Sequence, residues 1–137
     1  MWDDFQPFLV GSGPTSTVLD PDLNPNNILE AALGGSVRVD WSFAGPLTVF
    51  LPLTTFTVNI YAESVGPGPE LMVGSVSVSG AAPPTATVPI PAGSLPAQGP
   101  GVSGVYKLTA VITNFITSSG VPTPLAGFDE EPIVQVR

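Results

Sequence analysis

Proline and glycine interrupt this chain throughout its length. Its 137 residues include 17 prolines and 15 glycines, spread from Pro7 to Pro132. Proline has no N–H to donate and clashes with the preceding helical turn, while glycine loses the most conformational entropy in a helix. Long helices are therefore excluded, and the short segments between these residues must fold in some other way.

Several of these short segments alternate apolar and polar residues with a period of two, which indicates strands with one buried face. In the clearest segment, Val37, Val39, Trp41 and Phe43 point one way and the intervening polar residues the other. Pro89 places one of the strands at a sheet edge. The predicted strands are residues 36–43, 55–63, 74–79, 85–90, 105–113 and 132–137.

Residues 28–33 are the single candidate helix, and Gly34 and Gly35 would end it. Short strands separated by turn signals favour an all-β fold with antiparallel pairing, either a sandwich or a barrel. The uncharged run at residues 41–62 is interrupted by Gly45, Pro46 and Pro52, so it predicts two strands and no membrane insertion.

The segment Ser103-Gly104-Val105-Tyr106-Lys107-Leu108 resembles the Gly-x-Tyr-x-Cys motif of immunoglobulin-like sandwiches, with Leu108 at the cysteine position. In that family the tyrosine hydroxyl bonds to nearby backbone. Trp41 is a candidate for the family's core tryptophan, although it lies on the second predicted strand and the family has it on the third. From residue 36 to residue 137 the chain resembles an immunoglobulin-like or fibronectin type III-like domain. The resemblance implies a single antiparallel sandwich of about seven to eight strands and transfers no activity.

The chain contains neither cysteine nor histidine. Disulfides, zinc–thiolate sites, iron–sulfur clusters and Ser-His-Asp catalysis are therefore excluded. Lys107 alternates outward beside Tyr106, which is typical of a surface lysine. We expect no catalytic residue and no cofactor.

Eleven acids against three bases give a formal net charge of -8. Binding to nucleic acid or to an anionic membrane surface is disfavoured, because both need clustered Lys and Arg. Charged residues make up 10 % of the chain, against about 25 % in an average globular protein. A surface with so few charges is weakly protected against contact with other proteins, which indicates assembly.

The segment VLDPDLNPNN at residues 18–27 raises the question of a calcium site. Counted from Asp20, the oxygen-bearing residues Asp20, Asp22, Asn24 and Asn26 occupy positions one, three, five and seven of a calcium loop. Pro25 then replaces the glycine of position six, and Ala31 replaces the glutamate of position twelve. The pattern favours Asx turns, and a weak calcium site of another geometry is the alternative.

Two further segments carry acids. Asp129, Glu130 and Glu131 precede the last predicted strand, where they indicate a solvated turn that protects a sheet edge, with a partner or cation contact as the alternative. Gly66-Pro67-Gly68-Pro69 forms a stiff turn between Glu63 and Glu70. Neither segment places two carboxylates on opposite sides of a cleft, as glycoside hydrolysis requires.

Residues 1–14 are interpreted as an N-terminal extended arm, and residues 15–137 as the sandwich. The arm carries Trp2, Phe5, Phe8 and Leu9 ahead of Gly11. Either it is a first strand folded onto its own sandwich, or it docks on a neighbouring subunit as a partner-binding segment. The start shows no signal peptide, so we expect a cytoplasmic protein, or a surface or extracellular one if a leader has been removed.

The leading functional hypothesis is a structural or assembly protein that packs with itself or with a larger complex through its sheet faces and arm. The second is a monomeric adaptor or ligand-binding module that uses the loops at residues 66–69 and 115–128. An enzyme that uses only Asp and Glu is the third.

Overall fold

The computed structural model describes residues 1–3 and 8–137. These residues form ten strands and one 3₁₀ helix, here called η1. The strands are β1 (Trp2–Asp3), β2 (Val10–Leu19), β3 (Ile28–Leu29), β4 (Gly35–Ala44), β5 (Thr54–Ser64), β6 (Glu70–Ser79), β7 (Thr85–Ile90), β8 (Val105–Ile116), β9 (Pro122–Asp129) and β10 (Ile133–Val136), and η1 is Pro46–Leu53.

The strands form two sheets that pack as a β-sandwich, so the predicted fold class is confirmed. The smaller sheet has the order β2-β4-β7. In the larger sheet β6 pairs with β5 and β5 pairs with β8, while β9 and β10 share the other edge of β8. The two-residue strands β1 and β3 extend this sheet beyond β9 and β10. They raise the strand count above the predicted seven to eight.

The core follows from the period-two alternation of the longest strands. β5 and β8 pair antiparallel along their whole lengths, from Thr54 opposite Ile116 to Ser64 opposite Tyr106. Their inner faces carry Val58, Ile60 and Ile112, each fully buried. Removing such a side chain from water contributes about 1.5–3 kcal/mol, so these two strands dominate the stability of the larger sheet.

The helix predicted at residues 28–33 is wrong. Ile28 and Leu29 form β3, which pairs with β10 in parallel, and this pair departs from the antiparallel arrangement expected throughout. The following residues make a turn in which the Gly34 N–H donates to the Glu30 carbonyl at 2.9 Å. A run of six residues is too short to nucleate a helix alone, whereas the ladder gives the backbone partners and buries Leu29.

The loop interpretation of residues 115–128 also needs correction. Residues 122–129 form β9, so only residues 117–121 connect β8 to β9. Pro122 and Pro124 obscured this strand in the sequence, because proline cannot donate to a ladder. The pairing between β8 and β9 accordingly shifts register between Thr113 and Phe115.

Candidate functional site

One end of the sandwich gathers exposed apolar side chains. η1, the loop at residues 80–84, the loop at residues 117–121 and the segment at Phe8 meet there. Three backbone hydrogen bonds join them: Leu47 N–H to Phe8 O at 3.0 Å, Thr117 N–H to Leu53 O at 3.0 Å, and Gly80 N–H to Thr54 O at 2.9 Å. We call this surface the apolar end and define it by its exposed large apolar residues: Phe8, Val49, Phe50, Leu53 and Val121.

η1 is responsible for much of this exposure. Gly45 precedes it with φ 111°, a conformation that suits glycine, and Pro46 supplies the helical φ of the first turn. The Thr48 hydroxyl donates to the Gly45 carbonyl at 2.8 Å and closes that turn. None of the eight residues of η1 is fully buried, and Val49 is 70 % exposed. The helix therefore presents apolar side chains to solvent.

A buried polar network holds η1 in place. Asn114 of β8 is 3 % exposed, and its Nδ2 donates to the Thr54 hydroxyl at 3.0 Å. Thr54 donates in turn to the Leu51 carbonyl of η1 at 2.7 Å, and the Thr123 hydroxyl of β9 donates to Asn114 Oδ1 at 2.8 Å. Satisfied networks of this kind rigidify their surroundings. The exposed residues of η1 are thus fixed to both β5 and β8.

Among the residues that the structure describes, the segments that form the apolar end carry no charge. Residues 8–12, 44–56, 77–86 and 113–125 contain no acidic or basic side chain. Charged groups lie farther along the sandwich or at the opposite end, where Lys107 lies 3.7 Å from Glu63 and 3.8 Å from Glu130. Charge depletion together with exposed aromatic and aliphatic groups is typical of the centre of a protein–protein interface.

A small aromatic pocket opens beside η1. Its volume is about 160 Å³, and its walls include Trp41, Phe43 and Phe56 together with Thr48 and Leu51 of η1. The ring centroids of Trp41 and Phe56 lie 5.4 Å apart, and those of Phe43 and Phe56 lie 5.9 Å apart. The two sheets thus supply the pocket walls jointly, and its chemistry suits a small apolar group.

The predicted partner-binding residues of the arm occupy different environments. The Trp2 ring packs 4.6 Å from Phe43, and Leu9 is 4 % exposed within the core. Phe8 is 57 % exposed and belongs to the apolar end. Phe5 lies outside the described residues. In this conformation Phe8 is accessible to a partner, while Trp2 and Leu9 contact their own sandwich.

The proposed arm boundary at residue 14 falls inside β2, which begins at Val10. Upstream of it, β1 pairs with β9. The terminal amine of Met1 donates to the Phe128 carbonyl at 2.9 Å, and the Phe128 N–H donates back to the Met1 carbonyl at 3.0 Å. The start of the chain therefore adds a short strand to its own larger sheet.

Trp41 and Tyr106, the two residues predicted to be structural, both lie in the core. Trp41 is 5 % exposed and reaches from the smaller sheet to Phe56 of the larger one. Tyr106 is fully buried, and its hydroxyl donates to the Pro96 carbonyl at 2.7 Å. That acceptor lies ten residues upstream, farther along the chain than in the family motif. Burial raises the pKa of the Tyr106 hydroxyl above its ordinary value of 10.0.

The calcium candidates form turns. Asp20 Oδ1 accepts the N–H groups of Asp22 at 3.0 Å and Asn24 at 2.9 Å, and Asn26 Oδ1 accepts the Ile28 N–H at 3.0 Å. These are the Asx turns that the sequence favoured. Across the described part of the chain, no group of three or more acids, histidines or cysteines is placed to hold a metal ion.

The acidic segment before β10 contributes to packing. Asp129 Oδ2 accepts the Ser16 N–H at 2.8 Å, which ties β9 of the larger sheet to β2 of the smaller one. The stiff turn at residues 66–69 connects β5 to β6 at the end opposite η1, where the Ser64 hydroxyl donates to the Pro67 carbonyl at 3.0 Å. The two loop segments of the adaptor hypothesis therefore lie at opposite ends of the sandwich.

Comparison with models of protein families, with curated proteins and with solved structures found no match to this chain. Among the residues that the structure describes, no helix has the length and apolarity needed to span a membrane. The surfaces of the chain itself are therefore the guide to its function.

Sequence reasoning missed the network and the role of η1. One signal was present for the first: Asn114 continues the inward alternation of Tyr106, Leu108, Ala110 and Ile112, so a polar residue occupies a core position. For η1 the signal was ambiguous, because an apolar run of this length fits a strand as well as a short helix.

Proposed function

We propose that this chain is a non-enzymatic structural or assembly protein that self-associates or packs into a larger complex, such as a fibre, shell or surface layer, through its apolar end. The observation that carries the proposal is the gathering of exposed large apolar side chains at one end of the sandwich, on described segments that contain no charged residue. Exposed apolar clusters of this kind mark interaction sites in soluble proteins.

We further propose that the sandwich is immunoglobulin-like or fibronectin type III-like. In that architecture strands A, B and E share one sheet and strands C, F and G share the other. Here β2, β4 and β7 take the first three positions, and β5, β8 and the β9–β10 pair take the other three. Tyr106 on the F-like strand, with its bond to backbone, supports the same assignment.

The energetic argument depends on how exposed the apolar residues are. Phe50 is 55 % exposed and Leu53 is 63 % exposed. Fully burying one such side chain yields about 1.5–3 kcal/mol, and association retains only the surplus after entropy costs. Because η1 is already held by the Asn114 network, little further ordering is required when a partner covers it.

A matched pair of leucines tests the proposal. Leu53 at the apolar end is 63 % exposed and Leu33 near the opposite end is 61 % exposed. We expect Leu53→Ser to weaken assembly about tenfold, since roughly 1.4 kcal/mol of burial is lost, and Leu33→Ser to leave it unchanged. Light scattering across a concentration range gives the masses. Equal effects of the two substitutions would argue against the apolar end as the contact surface.

The aromatic pocket favours a second candidate function, a monomeric ligand-binding module. A cavity of about 150 Å³ lined by apolar groups can hold a benzene-sized molecule, and the pocket beside η1 has a volume of about 160 Å³. Titration with fluorobenzene, followed by tryptophan fluorescence and ¹⁹F NMR, tests this function. Saturable binding by a protein that stays monomeric would favour the module over the assembly protein.

A further inference from the structure

The sheet edges of this sandwich differ in how they are protected against pairing. Natural edge strands are protected by proline, bulges, charge or shortness. In the smaller sheet β7 carries Pro89, while β2 carries Pro14 and a register shift between Ser12 and Thr15. At one edge of the larger sheet, β1 and β3 have two residues each. Within residues 1–3 and 8–137, β6 at the other edge is a long edge strand whose first half carries Glu70 and a register shift between Met72 and Gly74, while residues 74–79 have none of these features.

β6 has ten residues, contains no proline and carries its single charge at Glu70, its first position. Among the described strands it pairs with β5 alone. β7 of the smaller sheet approaches the inner face of β6: a Cβ added to Gly74 would lie 2.7 Å from the carbonyl oxygen of Pro89 in β7. Side chains stand perpendicular to a sheet, so this contact lies on the inner face of β6, and no described strand pairs with its outer edge.

The sequence of this edge reads the same in both directions. Residues 74–80 are Gly-Ser-Val-Ser-Val-Ser-Gly, with Ser77 at the centre. In an isologous interface, residue i of one copy faces residue j of the other and j faces i. Any two copies paired antiparallel about a two-fold axis satisfy this condition, and in a palindromic strand each residue also faces one of its own type.

From these observations we propose that two copies of this chain pair antiparallel along β6, with Ser77 on the two-fold axis. The inference rests on the proposed self-association and adds to the apolar end a second contact, between two copies of the chain. Ser75 then faces Ser79, and Val76 faces Val78. The two larger sheets join into one continuous sheet across the dimer.

The faces and charges of β6 suit this arrangement. Ser75 and Ser77 are exposed on the outer face, while Val76 and Val78 are half-buried on the inner face and pack against the core. Pairing of copies keeps this alternation, so serines meet serines and the valines of both copies extend the apolar layer. The antiparallel direction also places the two Glu70 side chains at opposite ends, where they do not repel each other.

A single introduced thiol tests the register, since the chain has no cysteine of its own. Residues directly opposite in an antiparallel pair have Cα atoms about 4.5–5.5 Å apart, within the range of a disulfide. Ser77→Cys should therefore form a covalent dimer on mild oxidation. Thr113→Cys is the control. Thr113 is exposed on the same face of the sheet as Ser77, but it lies two strands in from the edge: Ser77 is opposite Thr57, and Thr57 is opposite Thr113. Equally slow cross-linking of both variants would overturn the inference.

Variants with opposite charges at position 77 distinguish the β6 contact from a contact through the apolar end. Ser77→Lys places two like charges against each other at the axis, so we expect dimerisation to weaken about tenfold. Ser77→Glu should do the same, and an equimolar mixture of the two variants should dimerise again. A mixture no heavier than its components would overturn the β6 pairing. If Leu53→Ser weakens assembly while Ser77→Lys does not, the β6 inference fails and the proposed function stands. The reverse result means that β6, and not the apolar end, carries assembly.

Discussion

The ring of Trp2 lies 4.6 Å from the ring of Phe43, and the two residues belong to opposite sheets. Space for the indole is made by two glycines, since a Cβ on Gly11 or on Gly127 would lie within 2.5–2.7 Å of its atoms. The Trp2 Nε1 also donates to the Ser12 carbonyl at 3.2 Å. Trp2, near the start of the chain, therefore packs as part of the sandwich.

We predict that Trp2→Ala destabilises the folded chain by about 2–3 kcal/mol, somewhat less than the loss for a fully buried tryptophan. Phe8→Ser is the control from the same segment: Phe8 is 57 % exposed, so its replacement should change stability by less than about 0.5 kcal/mol. Urea unfolding measures both. Equal stability of the wild type and Trp2→Ala would contradict the packing role of Trp2.

The Asn114 network should matter for both stability and assembly. Removing this side chain takes the Nδ2 donor from the Thr54 hydroxyl and the Oδ1 acceptor from the Thr123 hydroxyl, so we expect Asn114→Ala to cost about 2–3 kcal/mol. Asn59→Ala, on the outer face of β5, should cost less than about 0.5 kcal/mol. Because the Thr54 hydroxyl that donates to η1 is then no longer held by β8, Asn114→Ala should also lower the assembled mass under conditions where it remains folded. An assembly curve identical to that of the wild type would show that η1 does not need this network.

Tyr106→Phe removes the hydroxyl that satisfies the Pro96 carbonyl. We expect a loss of about 1–3 kcal/mol at neutral pH, the usual consequence of leaving a buried acceptor without a donor.

The same tyrosine predicts a pH dependence. Its pKa in the folded chain is raised above 10.0 by burial, so the unfolded chain loses this proton first as pH rises. Between the unfolded and folded pKa values the folded state holds more protons, and the free energy of unfolding falls with pH. Urea unfolding at about pH 9 and pH 11 should show that the free energy of unfolding decreases less for Tyr106→Phe than for the wild type. Equal decreases in the two proteins would show that other groups cause the loss of stability at alkaline pH.

Asp20 should act as a turn residue. Its carboxylate accepts two N–H groups, so Asp20→Ala should cost about 1 kcal/mol, while Asp20→Asn, which can form the same turn, should cost less. Calcium at millimolar concentration should leave the thermal midpoint of the wild type unchanged. A calcium-dependent rise that Asp20→Ala abolishes would restore the metal-site hypothesis.

The strands predicted from alternation are those whose two faces meet different environments. Residues 85–90 match β7 in both bounds, and residues 36–43 fall inside β4. Alternation identifies such strands because one face meets the core and the other meets solvent. Pro89 correctly marked β7 as an edge strand.

Elements that depend on distant partners could not be read in the same way. β3 exists because Ile28 and Leu29 meet β10, more than a hundred residues later. β9 contains two prolines and takes its pairing from β8 on one side and β1 on the other. Neither segment carries enough local periodicity to indicate a strand.

The sequence predicted the chemistry of the candidate surface but not its location. Low charge indicated that part of the surface contacts other proteins, but the sequence pointed to the sheet faces and the arm. The apolar end depends on bringing Phe8, η1 and residues 117–121 together, and these segments are far apart along the chain. Their juxtaposition follows from the pairing of β5 with β8 and from the Asn114 network, neither of which a local pattern specifies.

The most direct test of the central claim is the mass of the wild-type protein in solution, measured by light scattering over a wide range of concentration. We predict a mass that rises above the 14.0 kDa of one chain as concentration increases and reaches at least two copies. A mass that remains at 14.0 kDa up to about 1 mM, the weak limit of specific association, would contradict self-assembly.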